Sequence, residues 1–568
     1  MWRHSMRRSR CPLLFGPLRG GGGGGGGGPL ASPFWKASSS AAFSTDLYRA
    51  LTEATEDQAE PGLLRLADNH AWPIGSKLGM QLIVRECYPR IFELSQRLAK
   101  QTIGGSGGVV FSGNPGIGKS WFLNYTLWRL LQQNKTVLVE SVAQARVWLF
   151  KEGQVREAPF EDKKQIVELF ETVRNDTDAW YLFDPCGDIP REPKEMLPFT
   201  VVAASPNPQH YKQFYKRTAN KYYIPCWSWE ELKMHVPHAA QTVAPGLTMD
   251  EAYDHFKIFG GIPRYVYRTS EQAKRTKREL DGKIQQLDMR ALSLVLNDLE
   301  MIRYYQGRLS YQVLQYEVDP ETFESKGIRY ASDYVGDAIY EQKLKNNQSE
   351  LGRAIHELKG ALAGEIFERY ATSRLAPGGC FRIYPLHPAG GKAAWLRMPA
   401  RSKTSYVGSL REMKEWEEVG AEEILKCAPN FPVIDALSEE GAFNFTVTKR
   451  HGIKPQPCKE LLTKLGVGKD KPLKLYWVLR DGEGQDFPKQ QFTNPPPNNT
   501  QPSQQKRGGG GGEDNDFIEA RLHQFALELP TLHYASMNKS ELQDLCAKKG
   551  LATSGTNSEL IYRLEGKE

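Results

Sequence analysis

The chain has 568 residues, a formal net charge of +7, and 40% hydrophobic and 25% charged residues. This length predicts about three or four domains, and no apolar run approaches the roughly 18 residues that a membrane-spanning helix needs. The mildly basic balance permits contact with nucleic acid without requiring it. The eight cysteines contain no CxxC pair, so we expect reduced thiols rather than a disulfide framework or a zinc site.

Residues 1–45 differ from the rest of the chain. They are rich in arginine and serine, they include a glycine run at 20–28, and no acidic residue precedes Asp46. An Arg-rich, Ser-rich, acid-poor N-terminus is typical of a mitochondrial transit peptide. A basic tail and a misassigned start codon are the alternatives, since targeting does not explain the glycine run.

The first half of the remaining chain alternates between strands and helices. Continuous apolar runs predict strands at 108–113, 135–141, 179–184 and 199–205, and amphipathic runs predict helices at 120–133 and 163–175. Strands that are apolar on both faces belong to parallel sheets covered by helices. We therefore predict an α/β fold for residues 82–270.

The second half divides into further segments. Residues from 249 to 345 have a helical pattern, which predicts a helical lid or connector over 271–345. A helix at 361–375 followed by short strands predicts a separate α/β domain over 350–488. Residues 489–516 are rich in Pro, Asn, Gln and Gly, and this composition predicts a disordered linker before a small module at 528–566.

One loop in the first domain matches the phosphate-binding pattern G-x-x-x-x-G-K-[ST] without a mismatch. It lies between a predicted strand and a predicted helix, as that pattern requires. We expect Lys119 to reach the β- and γ-phosphates of a nucleotide and the Ser120 hydroxyl to bind Mg²⁺. The whole candidate loop is Gly113, Asn114, Pro115, Gly116, Ile117, Gly118, Lys119 and Ser120.

A phosphate-loop enzyme also needs an acid near the metal, usually at the end of a neighbouring apolar strand. Asp184 ends the predicted strand at 179–184 and is our candidate. Pro185 follows it, where many ATPases carry the glutamate that activates water, so binding is better supported than hydrolysis. Ser205 or Asn207, after the next strand, would lie beside the γ-phosphate or would cap a turn.

The segment FGGIPRYVY, at 259–267, interrupts the helical pattern with two glycines and a proline. Arg264 follows this interruption. It would either reach the γ-phosphate, where an arginine stabilises transition-state charge, or form a surface salt bridge.

Several motifs occur together in one order: VRECYPRIF, GNPGIGKS, YLFDP, YYIPCWSWEEL and FGGIPRYVY. As a set they resemble the NTPase region shared by the Crinkler effectors of oomycetes and fungi and the retrotransposon hot spot proteins of trypanosomes. The resemblance implies ATP as the nucleotide, with Mg²⁺ bound by Ser120 and Asp184.

In that family a restriction-endonuclease-like domain often follows the NTPase. GEIFERYATSRL, FPVIDAL and FNFTVTKR resemble its landmark helix and strands. The resemblance implies Asp435 as a metal ligand, with Glu365 or Glu368 and Lys449 as supporting catalytic residues.

Two residues of this second domain depart from the family pattern. Asn444 stands where a glutamate or glutamine is usual, and Thr446 takes the position of the lysine. Hard Mg²⁺ prefers carboxylate oxygens, so these substitutions weaken a metal site. A DNA-binding domain that does not cleave is therefore an alternative to a nuclease.

Residues 532–568 predict two short helices joined at a TSG turn. We expect Ser540 to cap the first helix and Gly550 to end it. The stretch resembles a SAP motif, and this resemblance implies binding to duplex DNA. Its phosphate contacts would be Lys539, Lys548, Lys549 and Arg563. The alternative is a helical hairpin that binds protein through its apolar face.

Together these features favour a nucleotide-regulated, ATP-hydrolysing protein that acts on DNA. A binding protein with an inactive nuclease-like domain is the second hypothesis. The basic N-terminus favours a mitochondrial location, with the nucleus as the alternative. A secreted effector that reaches a host nucleus rests on the Crinkler resemblance alone.

Overall fold

A computed structural model describes residues 45–56, 62–66, 70–75, 81–102, 107–185, 189–218, 220–288, 292, 310–345, 351–352, 354–355, 360–386, 392–428, 431–492, 510–529, 534 and 537–564. The predicted basic segment at 1–44 lies outside these residues, as does most of the predicted linker. The chain forms two compact units, residues 1–335 and 336–568. Among the described helices, none is long and apolar enough to cross a membrane.

Unit 1 is built on a seven-stranded sheet with the strand order β10-β4-β9-β8-β5-β6-β7. The first five strands in this order are parallel, and β6 and β7 continue the sheet antiparallel. The strands are β4 (Gly108–Ser112), β5 (Val137–Ser141), β6 (Arg146–Lys151), β7 (Gln154–Pro159), β8 (Trp180–Asp184), β9 (Phe199–Ala203) and β10 (Lys221–Tyr223).

Helices cover the sheet on both faces and extend beyond it. They are α1 (Thr45–Thr52), α2 (Cys87–Gln101), α3 (Lys119–Gln132), α4 (Lys163–Val173), α5 (Lys212–Thr218), α6 (Trp229–Met234), α7 (Val236–Thr242), α8 (Met249–Phe259), α9 (Pro263–Val266) and α10 (Ser270–Gln286). Every residue of β4, β5, β8 and β9 is buried. Two apolar clusters pack against the sheet, one including Phe111 and Leu182, the other Val110 and Phe183. The predicted α/β class is confirmed.

Two smaller sheets complete unit 1. The strands β1 (Thr55–Glu56), β2 (Leu63–Arg65) and β3 (Gln81–Ile83) form an antiparallel sheet. The strands β11 (Leu314–Val318) and β12 (Ser325–Tyr330) form an antiparallel hairpin. This hairpin corrects the wholly helical pattern expected up to residue 345, and part of that pattern, at 289–291 and 293–309, lies outside the described residues. Helix α11 (Asp333–Ile339) follows the hairpin, and a π-helical turn follows α11 at Tyr340–Leu344.

Unit 2 contains an eight-stranded mixed sheet with the order β14-β13-β20-β19-β18-β17-β16-β15. Its strands are β13 (Gly379–Pro385), β14 (Ala394–Met398), β15 (Lys403–Val407), β16 (Glu423–Cys427), β17 (Ala436–Ser438), β18 (Gly441–Phe445), β19 (Leu473–Arg480) and β20 (Leu522–Leu529). Its helices are α12 (Gly360–Leu375), α13 (Pro455–Lys464) and α14 (Gly510–Glu519).

Strand β20 corrects the domain boundary that the sequence suggested. It lies beyond the predicted linker, yet it pairs parallel with β19 and antiparallel with β13 in the interior of the sheet. Four of its last five residues are apolar, and the strand is buried from Ala526 onward. The domain therefore does not end at residue 488. The predicted linker also overlaps α14, which begins at Gly510.

The C-terminal module forms the two predicted helices, α15 (Lys539–Lys548) and α16 (Asn557–Leu564). They pack through a small cluster that includes Leu542, Cys546 and Leu560. Gly550 follows α15 with φ +67°, as expected for a residue that ends a helix. The predicted cap at Ser540 is wrong: Asn538 accepts from the Glu541 amide, and the Glu541 side chain accepts from the Asn538 amide.

Candidate functional site

The glycine-rich loop joins β4 to α3 at the carboxyl end of the parallel strands. Gly113, Gly116 and Gly118 have φ values of 151°, 92° and 101°, which side-chain-bearing residues rarely adopt. Lys119 is buried, and its Nζ donates to the carbonyls of Gly113 at 2.9 Å and Asn114 at 2.7 Å. The loop therefore curls around its own lysine at the start of a helix, as an anion-binding loop does.

Asp184 ends β8 and is 4% exposed. The Ser120 hydroxyl donates to its Oδ1 and the Ser141 hydroxyl donates to its Oδ2, both at 2.9 Å. Burial raises the pKa of Asp184 to about 6, opposed by these two hydroxyls and by Lys119. A hydroxyl and a carboxylate are hard oxygen donors, so Ser120 and Asp184 fit a Mg²⁺ ion.

Arg264 lies against the same loop, although the loop is far from it in the sequence. A Cβ added to Gly116 would come within 3.0 Å of Arg264 Nε. That Nε is buried without a hydrogen-bond partner, and Arg264 forms no ion pair with a carboxylate in the part of the chain that the structure describes. Burial, and then the charge of Arg264, lower the pKa of Lys119 to about 7. Two cations thus converge on one loop, which suits a polyanion.

The two glycines before Arg264 allow backbones to pack closely. A Cβ on Gly260 would lie 1.9 Å from the Ala331 carbonyl oxygen, and one on Gly261 would lie 1.9 Å from that of Trp227. The Trp227 amide also donates to the Gly261 carbonyl at 2.9 Å. No side chain larger than hydrogen fits at either position without backbone movement, and this fixes the segment that carries Arg264.

Three residues that the sequence analysis did not single out fasten the loop. Tyr88 donates its hydroxyl to the Gly118 carbonyl, and Trp227 donates Nε1–H to the Ile117 carbonyl, both at 2.8 Å. Arg85 lies over the Trp227 ring at 4.7 Å and forms a buried ion pair with Glu231. Arg85 and Tyr88 lie in the VRECYPRIF motif and Trp227 lies in WSWEE, and these motifs contributed only to the family resemblance.

Asn114 ties the loop to the β11–β12 hairpin. Its Oδ1 accepts from the Tyr316 amide at 3.0 Å, and its Nδ2 donates to the Leu314 carbonyl at 2.9 Å. The candidate Asn207 caps the short helix Pro208–His210, where its Oδ1 accepts from the Gln209 amide. These contacts agree with the alternative in which Asn207 caps a turn.

In unit 2, Asp435 immediately precedes β17 and accepts from the Phe445 amide through Oδ2 at 2.7 Å. Burial raises its pKa to about 7. The Phe445 amide opposes this rise, Glu368 adds to it, and Lys426 opposes it. Glu368 and Lys426 form an ion pair at 3.3 Å. These three residues, Asp435, Glu368 and Lys426, are the unit 2 cluster.

The predicted supporting residues of unit 2 lie in different surroundings. Glu365 lies one turn of α12 before Arg369 and 3.9 Å from its guanidinium, whereas Glu368 is the glutamate coupled to Asp435. Lys449 is exposed beyond β18, and its carbonyl accepts from Gln490. Lys426, on the strand that pairs with β17, is the lysine electrostatically coupled to Asp435.

Asn444 and Thr446 are both buried. Asn444 donates Nδ2–H to the Val433 carbonyl at 3.0 Å, and its Oδ1 has no hydrogen-bond partner. The Thr446 hydroxyl is engaged with Thr448. Asn444 thus offers one neutral oxygen, and Thr446 offers no base.

The predicted DNA contacts of the C-terminal module differ in availability. Lys539 is exposed at the start of α15, and the side chain of Lys548 lies outside the described residues. Arg563 donates to the turn carbonyls of Ala552 and Ser554. Lys549 corrects the prediction, because it pairs with the buried carboxylates of Asp481 and Glu528.

The strand order, the glycine loop and the acid on β8 define unit 1 as a P-loop NTPase fold. β9 lies between the strand that precedes the loop and the strand that carries the acid. At the other end of the chain, residues 533–566 match the family described as SAP domain.

Two curated relatives match this chain, the Crinkler effector proteins 15 and 16 of Phytophthora infestans. Each is 28% identical over 382 residues, covering 63% of this chain and 57% of the relative. The chain thus spans little more than half the length of these relatives.

Among solved structures, the Holliday junction branch migration motor RuvB of Thermotoga maritima is 15% identical, with a TM-score of 0.20. This match covers 48% of this chain and 76% of RuvB. The ORC2 protein of Aeropyrum pernix in its ADP form is 12% identical, with a TM-score of 0.22. It covers 51% of this chain and 79% of ORC2.

Proposed function

We propose that this protein binds and hydrolyses ATP with Mg²⁺ and couples the nucleotide to an action on DNA. The observation that carries the nucleotide part is the convergence of Lys119, Arg264 and the Ser120–Asp184 pair on one glycine-rich loop. The SAP domain supports DNA as the partner.

Each residue has a distinct task in this proposal. Lys119 and Arg264 neutralise the charge of the β- and γ-phosphates, and the burial around them strengthens that attraction. Ser120 and Asp184 hold the metal, which supplies Lewis-acid stabilisation of the transferring phosphoryl group. Ser141 orients the second oxygen of Asp184 through its hydrogen bond at 2.9 Å.

The nucleotide site is tested by Lys119→Ala, with Lys164→Ala, an exposed lysine on α4, as the matched control. Losing hydrogen bonds from a charged donor costs about 10- to 100-fold in affinity. We expect titration calorimetry to show that loss for Mg·ATP with Lys119→Ala and none with Lys164→Ala. Unchanged binding by Lys119→Ala would overturn the assignment of the loop.

A second candidate function is Mg²⁺-dependent DNA cleavage. The observation behind it is the Glu368–Lys426 ion pair at 3.3 Å, whose two members both affect the pKa of Asp435. Asp435 and Glu368 would hold the metal, and Lys426 would orient the attacking water. We expect nicking of supercoiled plasmid by the wild type, its loss in Asp435→Ala and Lys426→Ala, and its retention in Lys449→Ala.

Identical plasmid profiles for the wild type and Asp435→Ala would exclude cleavage. Unit 2 would then be a DNA-binding domain without nuclease activity. The double variant Asn444→Glu with Thr446→Lys sharpens this outcome, because it rebuilds the usual acidic and basic positions. Cleavage gained by that variant would show that Asn444 and Thr446 had removed the activity.

For location we propose the mitochondrion, on the Arg-rich, acid-poor residues 1–45. Imaging of the tagged full chain, with and without residues 1–45, tests this. Mitochondrial signal that is lost on truncation supports the proposal, and nuclear signal from both forms contradicts it. The names of the Crinkler relatives suggest a second possibility, delivery as a secreted effector. That possibility predicts that purified protein added to host cells enters their nuclei.

A further inference from the structure

The hairpin β13–β14 forms one edge of the eight-stranded sheet and carries an exposed tryptophan. Trp395, on the edge strand β14, has 51% of its surface exposed. At the opposite edge of the same sheet, Tyr406 on β15 is 59% exposed. The exposed indole of Trp395 presents a large aromatic face to solvent.

Strand register places basic side chains on the same face as Trp395. Arg382 pairs with Trp395, and Cys380 pairs with Arg397, across the β13–β14 hairpin. Directly paired residues project to the same face of a sheet. Lys392, just before β14, is exposed as well. We call Arg382, Lys392, Trp395 and Arg397 the edge strip.

The two arginines of the edge strip form no ion pair among the described residues. Arg382 lies over the Tyr384 ring at 5.1 Å. Neither Arg382 nor Arg397 pairs with a carboxylate in the described part of unit 2. Elsewhere in this unit Arg369 pairs with Asp337 at 2.8 Å and Arg480 with Glu483 at 2.6 Å. The edge strip therefore presents guanidinium groups that remain available to an anion.

The SAP domain is held beside this face. Arg382 pairs in register with Glu528 of β20, and the Glu528 carboxylate lies 3.5 Å from Lys549 of the SAP domain. Lys549 also pairs with Asp481, and the Tyr534 hydroxyl donates to Asp481 at 2.9 Å. Glu528 accepts from the Gly484 amide at 2.8 Å as well, so its carboxylate already has partners within the protein.

We propose that the edge strip binds single-stranded DNA next to the duplex that the SAP domain holds. A tryptophan face stacks on unpaired bases regardless of sequence, and guanidinium groups contact the phosphates between them. This inference rests on the proposed action on DNA and adds a second, strand-specific surface to it. It also makes the SAP domain a positioned reader of duplex rather than a flexible tether.

The experiment uses the full-length protein and fluorescence anisotropy with two probes, a labelled oligo(dT) of roughly 20 nucleotides and a duplex of the same length. Trp395→Ala is compared with Tyr406→Ala, the exposed aromatic at the opposite edge. Stacking of one base is worth about 5- to 100-fold in affinity. We expect Trp395→Ala to lose oligo(dT) binding by that factor, while its duplex binding and all binding by Tyr406→Ala stay within about twofold.

A second variant separates stacking from charge. Arg397→Gln should reduce the salt dependence of oligo(dT) binding by about 0.7 in the log–log slope, as for one lost phosphate contact on a single strand. The inference is overturned if Trp395→Ala binds oligo(dT) like the wild type, or if Tyr406→Ala loses as much. Failure of the wild type to bind either probe would instead remove the DNA part of the proposed function.

Discussion

Two aspartates, buried Asp184 in unit 1 and half-buried Asp435 in unit 2, occupy comparable places and have different surroundings. Asp184 ends β8, and Asp435 stands just before β17; burial raises their pKa values to about 6 and about 7. Asp184 receives hydroxyl hydrogen bonds on both oxygens. Asp435 accepts from one backbone amide, and Glu368, the carboxylate that adds to its raised pKa, is paired with Lys426.

The difference teaches that a buried acid near a strand end is not by itself a metal site. Asp184 accepts a hydrogen bond from the Ser120 hydroxyl and has two cations nearby, Lys119 on the loop and Arg264 against it. Asp435 is electrostatically coupled to one lysine, Lys426, and one glutamate, Glu368. Asn444, on the paired strand β18, offers only an amide. The first arrangement suits the charge of a nucleotide with its metal. The second has two carboxylates, but Glu368 is already paired with Lys426.

The largest effect that separates the two sites is expected from Arg264→Ala. If Arg264 stabilises charge on the transferring phosphoryl group, its loss lowers the ATP hydrolysis rate by about 1,000-fold or more. ATP affinity falls much less, because Lys119 remains in place. Steady-state phosphate release with parallel binding measurements checks this, and Arg275→Ala, an exposed arginine on α10, is the control. Equal rates for Arg264→Ala and the wild type contradict a catalytic Arg264.

A stability measurement addresses Asp435. Burial raises the pKa of folded Asp435 to about 7 from an ordinary value of 3.8, so the native state loses stability as the pH rises from about 4 to about 7. Asp435→Asn removes this loss and can still accept from the Phe445 amide. We expect it to stabilise the protein by about 4 kcal/mol at pH 8 and by nothing near pH 4.

Denaturant unfolding of the two proteins at pH 4 and pH 8 checks this difference. If Asp435→Asn were less stable than the wild type at pH 8, the carboxylate would be ionised and well paired in the native state. Asp435 would then resemble Asp184 more closely than the contacts around it indicate.

The smallest expected effect concerns the support of the loop. Trp227→Phe removes the Nε1–H bond to the Ile117 carbonyl and keeps most of the ring packing. Loss of one such bond costs about 0.5–1.5 kcal/mol, or about two- to tenfold in Mg·ATP affinity. Trp229→Phe, two residues away, is the control. Calorimetry with both variants checks the prediction, and equal affinities would show that this bond does not set the loop geometry.

Local signals were sufficient for part of this structure. The loop from Gly113 to Ser120 is eight consecutive residues, and its geometry depends on glycines at fixed offsets, so the pattern predicted it directly. The buried strands of unit 1 were equally visible, because strands covered on both faces have continuous apolar sequences. Asp184 was found because it ends such a strand.

Other features depend on the fold and could not be predicted from local pattern. Glu365 and Glu368 lie three residues apart on one helix, and only the packing of α12 selects Glu368. Lys426 comes from a neighbouring strand rather than from the motif itself. Composition identified the linker but not the return of β20 to the sheet interior, and the acids that hold Lys549 are distant in the sequence.

The central claim is that unit 1 hydrolyses ATP at the loop through Asp184. The most direct test is the ATP turnover of Asp184→Asn, measured together with its ATP affinity. We expect a rate about 1,000-fold or more below the wild type, with affinity for ATP in the absence of Mg²⁺ within a few fold. Turnover by Asp184→Asn at the wild-type rate would contradict the account, because the acid would then have no part in the reaction.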